Sequence, residues 1–287
     1  MGRAVFTGDD LNGETRYVRT DPTAHDGPPA VEAPGDQAVG PSPLGRTLGH
    51  YRLEARLGAG GMGEVFRARD VALGRPAALK LLPRTLSQDL RARLRREAEA
   101  VARLQHPAIA TFYETGEEDD ETFIAMECVQ GTTLRERLRG GAMPVEEGLA
   151  VISCVLAALG HAHAAGFLHR DIKPENIMVT GPRTAKLLDF GLALPLGATD
   201  AAVEESGSRP TGSVLTVAGS VVGTIGYMAP EQIRNEVLDA RVDVFQSGAV
   251  LYEMLTGQPA FPGRSPAERL AAILTRDPDF APLGAPP

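Results

Sequence analysis

The hydrophobic pattern of this chain changes character near Gly131, and that change constrains the fold more than any other feature of the sequence. Before this glycine, short alternating or apolar runs are separated by glycine and proline, which predicts antiparallel strands. The runs are YRLEARLG, EVFRARD, PAALKLL, IATFYETG and ETFIAMECV. One amphipathic helix is predicted among them, from Leu86 to Leu104. This part of the chain is therefore expected to form a small antiparallel sheet with one helix.

Helical patterns dominate after the change. The segment Pro144–Ala165 has the apolar density of a helix and stops at Gly166. The segment Asp239–Leu255 is apolar on nearly all sides, which predicts a helix buried at the centre of a helical domain. A shorter helical pattern runs from Pro266 to Arg276. Together these patterns predict an α+β protein in which a sheet domain precedes a mainly helical one.

A third region precedes both domains. Residues 1–45 are rich in glycine, proline, aspartate and threonine, and their apolar residues follow neither a strand period nor a helix period. The sequence therefore predicts a disordered tail at 1–45, a sheet lobe at 46–130 and a helical lobe at 131–287.

Composition excludes several classes of protein. With 287 residues, 43% of them hydrophobic, the chain can bury a substantial core. A net charge of -8 lacks the basic character of a nucleic-acid-binding protein, so no nucleic-acid partner is expected. Cys128 and Cys154 show no zinc spacing and no disulfide framework, which indicates a reducing, cytoplasmic location. The longest apolar run, Leu149–Gly160, is too short for a bilayer, so no membrane span is expected.

Three glycines, Gly58, Gly60 and Gly63, lie in LGAGGMGEVF, where the absence of side chains would let backbone N–H groups approach phosphate oxygens. A dinucleotide-binding fold would place a helix directly after them, but Glu64–Arg69 alternates like a strand. A simple glycine-rich turn is the alternative interpretation.

Two charged residues follow this segment. Lys80 ends the apolar strand AALK, and Glu97 lies on the predicted helix. An ion pair between them would hold the ammonium group against the α and β phosphates of a nucleotide. The alternative is that both side chains are solvated, and only further motifs can decide between the two interpretations.

Such motifs occur in HRDIKPEN and LLDFG, which place Asp171, Lys173, Asn176 and Asp189 in a fixed order. Phosphoryl transfer uses each of these residue types. Asp171 would orient the attacking hydroxyl and accept its proton, while Lys173 would neutralise charge on the transferred group. Asn176 and Asp189 offer hard oxygen ligands to Mg²⁺.

The series GAGGMGEV, AALK, Glu97, MECV, HRDIKPEN, DFG, GTIGYMAPEQ and RVDVF resembles the eukaryotic-like serine/threonine protein kinases of bacteria, from about Tyr51 to Asp277. The resemblance implies a bilobal protein-kinase fold, with ATP and Mg²⁺ as cofactors and protein serines or threonines as substrates. It also implies autophosphorylation, for which two copies of the chain would meet as a homodimer.

The resemblance further assigns a nucleotide site. Met126 matches the residue at the back of the adenine pocket, the backbones of Glu127 and Val129 match the adenine-binding hinge, and Asp243 matches the residue that holds the catalytic loop. The implied ATP-binding residues are Leu57, Gly58, Gly60, Gly63, Val65, Ala78, Lys80, Met126, Glu127, Val129 and Met178.

The segment between Asp189 and Glu231 resembles an activation loop. Thr216 is the predicted site of an activating phosphate that would pair with Arg170, and Ser220 is the second candidate. Thr224 matches a threonine of the peptide platform. Ile225, which follows it, stands where such kinases often have proline, so the resemblance does not define the peptide preference.

The end of the sequence, DPDFAPLGAPP, also departs from the pattern, because such kinases continue through two more helices that carry an arginine partner for Glu231. Either a fragment or a naturally short kinase is compatible with this. A nucleotide-binding scaffold or a weakly active truncated kinase is the alternative function. A small-molecule phosphotransferase is disfavoured by GTIGYMAPEQ, because such an enzyme needs no peptide platform.

Overall fold

A computed structural model of the protein describes residues 43–60, 63–84, 87–189 and 225–284. For Gly60, Leu90, Arg93, Leu94, Glu97 and Ala100 the backbone alone is described. The predicted phosphorylation sites Thr216 and Ser220, the platform residue Thr224 and almost all of the predicted tail lie outside these ranges.

The first part of the described chain forms an antiparallel sheet of order β1-β2-β3-β4-β6-β5. Its strands are β1 Thr47–Leu48, β2 Tyr51–Gly60, β3 Gly63–Asp70, β4 Arg75–Leu81, β5 Phe112–Glu118 and β6 Glu121–Glu127. Helix α1, Gln88–Val101, lies between β4 and β5 in sequence and is shorter than predicted at both ends. The structure thus confirms the small antiparallel sheet with one helix.

Alternation of side chains explains the sheet. In β3, Phe66 and Ala68 are buried while Arg67 and Arg69 are exposed, as expected when successive residues point to opposite faces. The buried residues of β3 pack with those of neighbouring strands, such as Tyr51. Burial of this face stabilises the lobe, together with a second buried cluster formed by Leu82, Ala98 of α1 and Ile124.

The second part of the described chain is mainly helical. Its helices are α2 Leu134–Leu138, α3 Val145–Ala164, α4 Pro230–Ile233, α5 Arg241–Thr256 and α6 Pro266–Thr275. Helix α5 buries apolar and polar residues on almost every side, which confirms the predicted central helix. It ends at Gly257, whose φ of 70° suits glycine. A Cβ there would also lie 2.9 Å from the backbone nitrogen of Ala142.

A small second sheet, which the sequence patterns did not predict, lies in the helical lobe. It has the order β7-β8-β9, with β7 Thr132–Thr133, β8 Ile177–Gly181 and β9 Thr184–Leu187. Leu187 of β9 also bridges to Ile109, which precedes β5. The segment before β5 is therefore attached to the helical lobe.

Helix α3 meets the length and composition of a membrane-crossing helix, with a mean hydropathy of 1.5 over its most apolar window. Within the described ranges it alone does so, and 39% of that window is buried in the lobe. A core helix of a globular domain passes the same test, so this property is weak evidence of a membrane span.

Candidate active site

The glycine-rich segment forms the hairpin of β2 and β3, in which Gly58 is opposite Val65 and Gly60 is opposite Gly63. Gly63 has a φ of 121°, and a Cβ at this position would lie 1.8 Å from the carbonyl oxygen of Leu81. Only glycine fits this backbone approach. A Cβ on Gly58 would meet no atom within 4 Å, so the hairpin borders open space there.

The predicted adenine pocket draws residues from both lobes. Ala78 on β4 is opposite Met126 on β6, and Val65 on β3 is opposite Lys80 on β4. Met178 lies on β8 of the helical lobe and is half-buried. Leu57, in contrast, is 56% exposed.

The connection between the lobes begins at Glu127. Its backbone N–H donates to the carbonyl oxygen of Thr111 at 2.8 Å, and its carbonyl oxygen accepts from the N–H of Val129 at 3.1 Å. Its carboxylate accepts two hydrogen bonds from Lys186 Nζ, at 2.6 and 2.7 Å. Burial would raise the pKa of Glu127, but the contacts with Lys186 and Thr111 lower it below its usual range. The ionised carboxylate therefore ties β6 to β9.

Lys80 contacts Asp189 rather than solvent. Its Nζ lies 2.9 Å from Asp189 Oδ2, and its side chain is only 8% exposed. Burial would raise the pKa of Asp189, but the charge and hydrogen bond of Lys80, with the charges of His169 and Lys173, lower it. The predicted pair of Lys80 with Glu97 stays a prediction, because only the backbone of Glu97 within α1 is described.

Asp171, Lys173 and Asn176 form one hydrogen-bonded group. Lys173 Nζ donates to Asp171 Oδ2 at 2.7 Å. Asn176 Nδ2 donates to the backbone oxygen of Asp171 at 2.8 Å and to its Oδ2 at 3.0 Å. The Asp171 carboxylate, 33% exposed, is therefore held in place and still accessible to a substrate.

Asp243 supports this group from helix α5. Its fully buried carboxylate accepts hydrogen bonds from the backbone N–H groups of His169 and Arg170, at 2.9 and 2.7 Å. His163 Nε2 lies 2.7 Å from the same carboxylate. Arg170 has a φ of 66°, an unfavourable value for a side chain other than glycine. The hydrogen bonds of Asp243 fix this strained backbone directly before Asp171.

The donor set suits a small hard cation. Asn176 donates through its amide nitrogen, which leaves the amide oxygen as an acceptor, and Asp189 supplies a carboxylate. No cluster of three or more His, Cys, Asp or Glu side chains that could enclose a metal occurs in the described part of the chain. Mg²⁺ is usually bound by one or two carboxylates together with substrate phosphates, so these residues fit a site that a nucleotide would complete.

Several residues at this site were not found from the sequence. Gln246 Oε1 accepts from the backbone N–H of Ile172, and Gln246 Nε2 donates to the carbonyl oxygen of Arg170, both at 2.9 Å. Gln232 Nε2 donates to the same carbonyl oxygen at 2.9 Å. Arg135 contacts Glu175, in the turn after Asp171. Gln232 and Glu175 lie within the quoted motifs GTIGYMAPEQ and HRDIKPEN but were given no role, and no motif includes Gln246 or Arg135. Most of these contacts join residues distant in sequence, which no motif spacing shows.

Comparisons with known proteins agree with this geometry. Residues 51–280 match the family model described as protein kinase domain. The chain is 42% identical over 228 residues to a probable serine/threonine-protein kinase of Streptomyces coelicolor, SCO3848, covering 77% of this chain and 32% of that protein. It is 43% identical over 245 residues to the serine/threonine-protein kinase pkn3 of Myxococcus xanthus, covering 82% and 43%. The chain thus spans less than half of these relatives.

A solved structure is similar as well. The crystal structure of the Mycobacterium tuberculosis PknI kinase domain matches with a TM-score of 0.58 and 30% sequence identity. The match covers 76% of this chain and 78% of that domain. Its fold agrees with the predicted bilobal architecture.

Proposed function

Since this chain belongs to the protein kinase family, we propose that it transfers the γ-phosphoryl group of ATP to serine or threonine hydroxyls of proteins. The similarity to bacterial serine/threonine kinases supports this acceptor class. The observation that carries the proposal is the hydrogen-bonded group of Asp171, Lys173 and Asn176, close to the Lys80–Asp189 pair.

Each member of the group has a role in the proposed reaction. Asp171 orients the acceptor hydroxyl and takes its proton, because its carboxylate is accessible and fixed by Lys173 and Asn176. Lys173 stabilises the negative charge of the transferred group. Asp189 and the amide oxygen of Asn176 would hold Mg²⁺, which would supply positive charge to the phosphates.

The nucleotide would bind between the two lobes. Val65, Ala78, Met126 and Met178 offer apolar contacts for the adenine ring. In the 127–129 connection, the N–H of Val129 would have to release the carbonyl oxygen of Glu127 before either group could bond fully to the ring. Lys80 would neutralise phosphate oxygens, with Asp189 available as a ligand for the metal. Leu57 would cover the ring after a rearrangement that reduces its exposure.

The proposal is tested by incubating the purified chain with ATP, Mg²⁺ and casein, and locating phosphate by mass spectrometry. We expect Asp171→Asn to abolish transfer and to leave nucleotide binding nearly intact, since this carboxylate acts on the acceptor. Asp189→Asn should instead weaken Mg²⁺-dependent nucleotide binding. Asp120→Asn makes the same chemical change in an exposed turn and should have no effect.

Two results would contradict this assignment. Wild-type turnover by Asp171→Asn would show that another group orients the acceptor. Nucleotide binding by the unaltered chain without any transfer would identify a nucleotide-binding scaffold instead.

We also propose that the chain is regulated by autophosphorylation in the segment between Asp189 and Glu231. Thr216 and Ser220 are the proposed autophosphorylation sites, modified in trans within a homodimer, with Thr224 in the peptide platform. Cys128 and Cys154 are both free thiols, which supports a cytoplasmic location for this domain.

A further inference from the structure

Arg135 on helix α2 joins three separate parts of the helical lobe. Its Nε donates to Glu175 Oε1 at 2.8 Å, and its Nη1 donates to Glu253 Oε1 at 2.7 Å. Its Nη2 donates to the hydroxyl oxygen of Tyr227, and that hydroxyl in turn donates to Glu253 Oε2. All three nitrogen atoms of the guanidinium group thus donate hydrogen bonds, each to a different segment.

The contacts with Glu253 and Tyr227 are largely withdrawn from solvent, whereas the contact with Glu175 is exposed. The Glu253 side chain is 9% exposed and Tyr227 is 6% exposed, whereas the Arg135 side chain is 32% exposed. Hydrogen bonds to charged groups are stronger than neutral ones, and a buried carboxylate that loses its cationic partner is unfavourable. Arg135, Tyr227 and Glu253 therefore have one strongly preferred arrangement.

Two of the three segments are hydrogen-bonded to Asp171 or to the residue before it. Glu175 belongs to the same short turn as Asn176, whose amide contacts Asp171. Tyr227 precedes helix α4, and Gln232 of α4 donates to the carbonyl oxygen of Arg170. Both segments therefore border the residue at which, in the proposed function, the acceptor hydroxyl is placed.

Arg135 itself is rigidly mounted. Thr133 caps α2, because its Oγ1 accepts from the N–H of Glu136 while the Glu136 carboxylate accepts from the N–H of Thr133. Leu134 is fully buried beside it. The position of the guanidinium is therefore set by the core of the lobe.

We propose that Arg135 is a positioning residue for the protein substrate, which holds the 174–176 turn and the 225–233 segment at the spacing that an acceptor chain requires. This inference rests on the proposed kinase function and extends it. Arg135 has no described contact with Lys80, Asp189 or Glu127, so its effect falls on the acceptor and not on the nucleotide.

The test is a comparison of steady-state kinetics for Arg135→Met and Arg137→Met. Arg137 lies on the same helix and pairs with Glu147, so its replacement removes an equal charge away from both segments. For Arg135→Met we expect KM for an acceptor peptide to rise roughly tenfold or more, with KM for ATP nearly unchanged. Arg137→Met should behave as wild type. Arg135→Lys should recover part of the loss, since an ammonium group cannot reach all three partners.

Two outcomes overturn the proposal: equal changes in both KM values, or the same peptide effect in Arg137→Met. If Arg135→Met does not fold, Glu175→Gln serves instead, because this partially exposed carboxylate can be neutralised without a buried vacancy. The same rise in peptide KM is expected for it, and an unchanged peptide KM contradicts the proposal.

Hydrogen exchange provides a readout that does not need activity. The N–H groups of Asn176 and Met228 are hydrogen-bonded within the two segments. Both should exchange faster in Arg135→Met than in Arg137→Met, and equal rates would overturn the inference. If the unaltered chain transfers no phosphate, the proposed function fails, while hydrogen exchange still decides whether Arg135 holds the two segments.

Discussion

At the scale of single residues, Asp243 is the buried charge that holds the backbone directly before Asp171. Its carboxylate accepts from His163, His169 and Arg170, and replacement by asparagine removes the charge and directs amide hydrogens toward these donors. We expect Asp243→Asn to lower the free energy of unfolding by about 3 kcal/mol, measured by urea denaturation. Asp239→Asn, four positions earlier and exposed, should have little effect.

The pH dependence of the same variant is a second measurement of this effect. Burial would raise the pKa of Asp243, but hydrogen bonds from His163 and the backbone lower it below the usual value of about 3.9. A depressed pKa adds stability above the unfolded pKa, and this stability is lost as the pH falls through the folded pKa. Asp243→Asn should therefore lose less stability than wild type on acidification, and an identical acid slope would contradict this role.

Cys128 provides a second prediction at this scale, because it lies in the connection between the lobes. Burial, with the nearby Glu54 and Glu127, raises the pKa of the Cys128 thiol above its usual value despite Arg67. Its alkylation by iodoacetamide, followed in Cys154→Ser, should therefore be slow at pH 7 and accelerate well above pH 8.5. Bound ATP should slow it further. Fast alkylation at pH 7 that ATP leaves unchanged would exclude the hinge placement of this thiol.

At the scale of elements, the cap of α2 should matter more than its length suggests. Thr133→Ala removes the side-chain hydrogen bond to Glu136, which is expected to destabilise the protein by about 1 kcal/mol. Ser265→Ala removes the equivalent bond to Glu268 at the start of α6, with a similar expected loss. Only Thr133→Ala should also raise KM for an acceptor peptide, because α2 carries Arg135. If Thr133→Ala and Ser265→Ala have the same KM for the peptide, the cap of α2 does not affect substrate binding.

At the scale of the whole molecule, the Glu127–Lys186 pair links strand β6 of the sheet lobe to strand β9 of the helical lobe. Both side chains are about three-quarters buried, with 26% and 25% exposed, so solvent screens the pair less than a surface pair. A double-mutant cycle of Glu127→Gln and Lys186→Met, read by thermal unfolding, should show a coupling energy of about 1 kcal/mol. Each single variant should also weaken ATP binding several-fold, because the lobe connection loosens.

The exposed pair of Arg241 and Asp239 is the matched control for this cycle. It joins two residues of one segment, so replacing either of them should not weaken ATP binding. Additive effects of Glu127→Gln and Lys186→Met would mean that the pair does not hold the lobes together.

The sequence alone determined the order of sheet and helices, the central buried helix and the motif spacing of Asp171, Lys173, Asn176 and Asp189. These features are local, because a strand or helix period and a motif spacing are properties of neighbouring residues. It did not predict the second sheet, whose strands β7, β8 and β9 have two, five and four residues and are too short to show a clear period. Nor did it show that Lys80 contacts Asp189, a residue 109 positions away.

Only the tertiary structure decided which buried polar groups satisfy one another. Arg135 lies 40 positions from Glu175 and 118 from Glu253, and its segment LRERLR is indistinguishable from a solvated helix face in sequence. His163 likewise meets Asp243 across 80 positions. A buried charge must find a partner, but packing of distant elements selects the partner, and no local pattern encodes that choice.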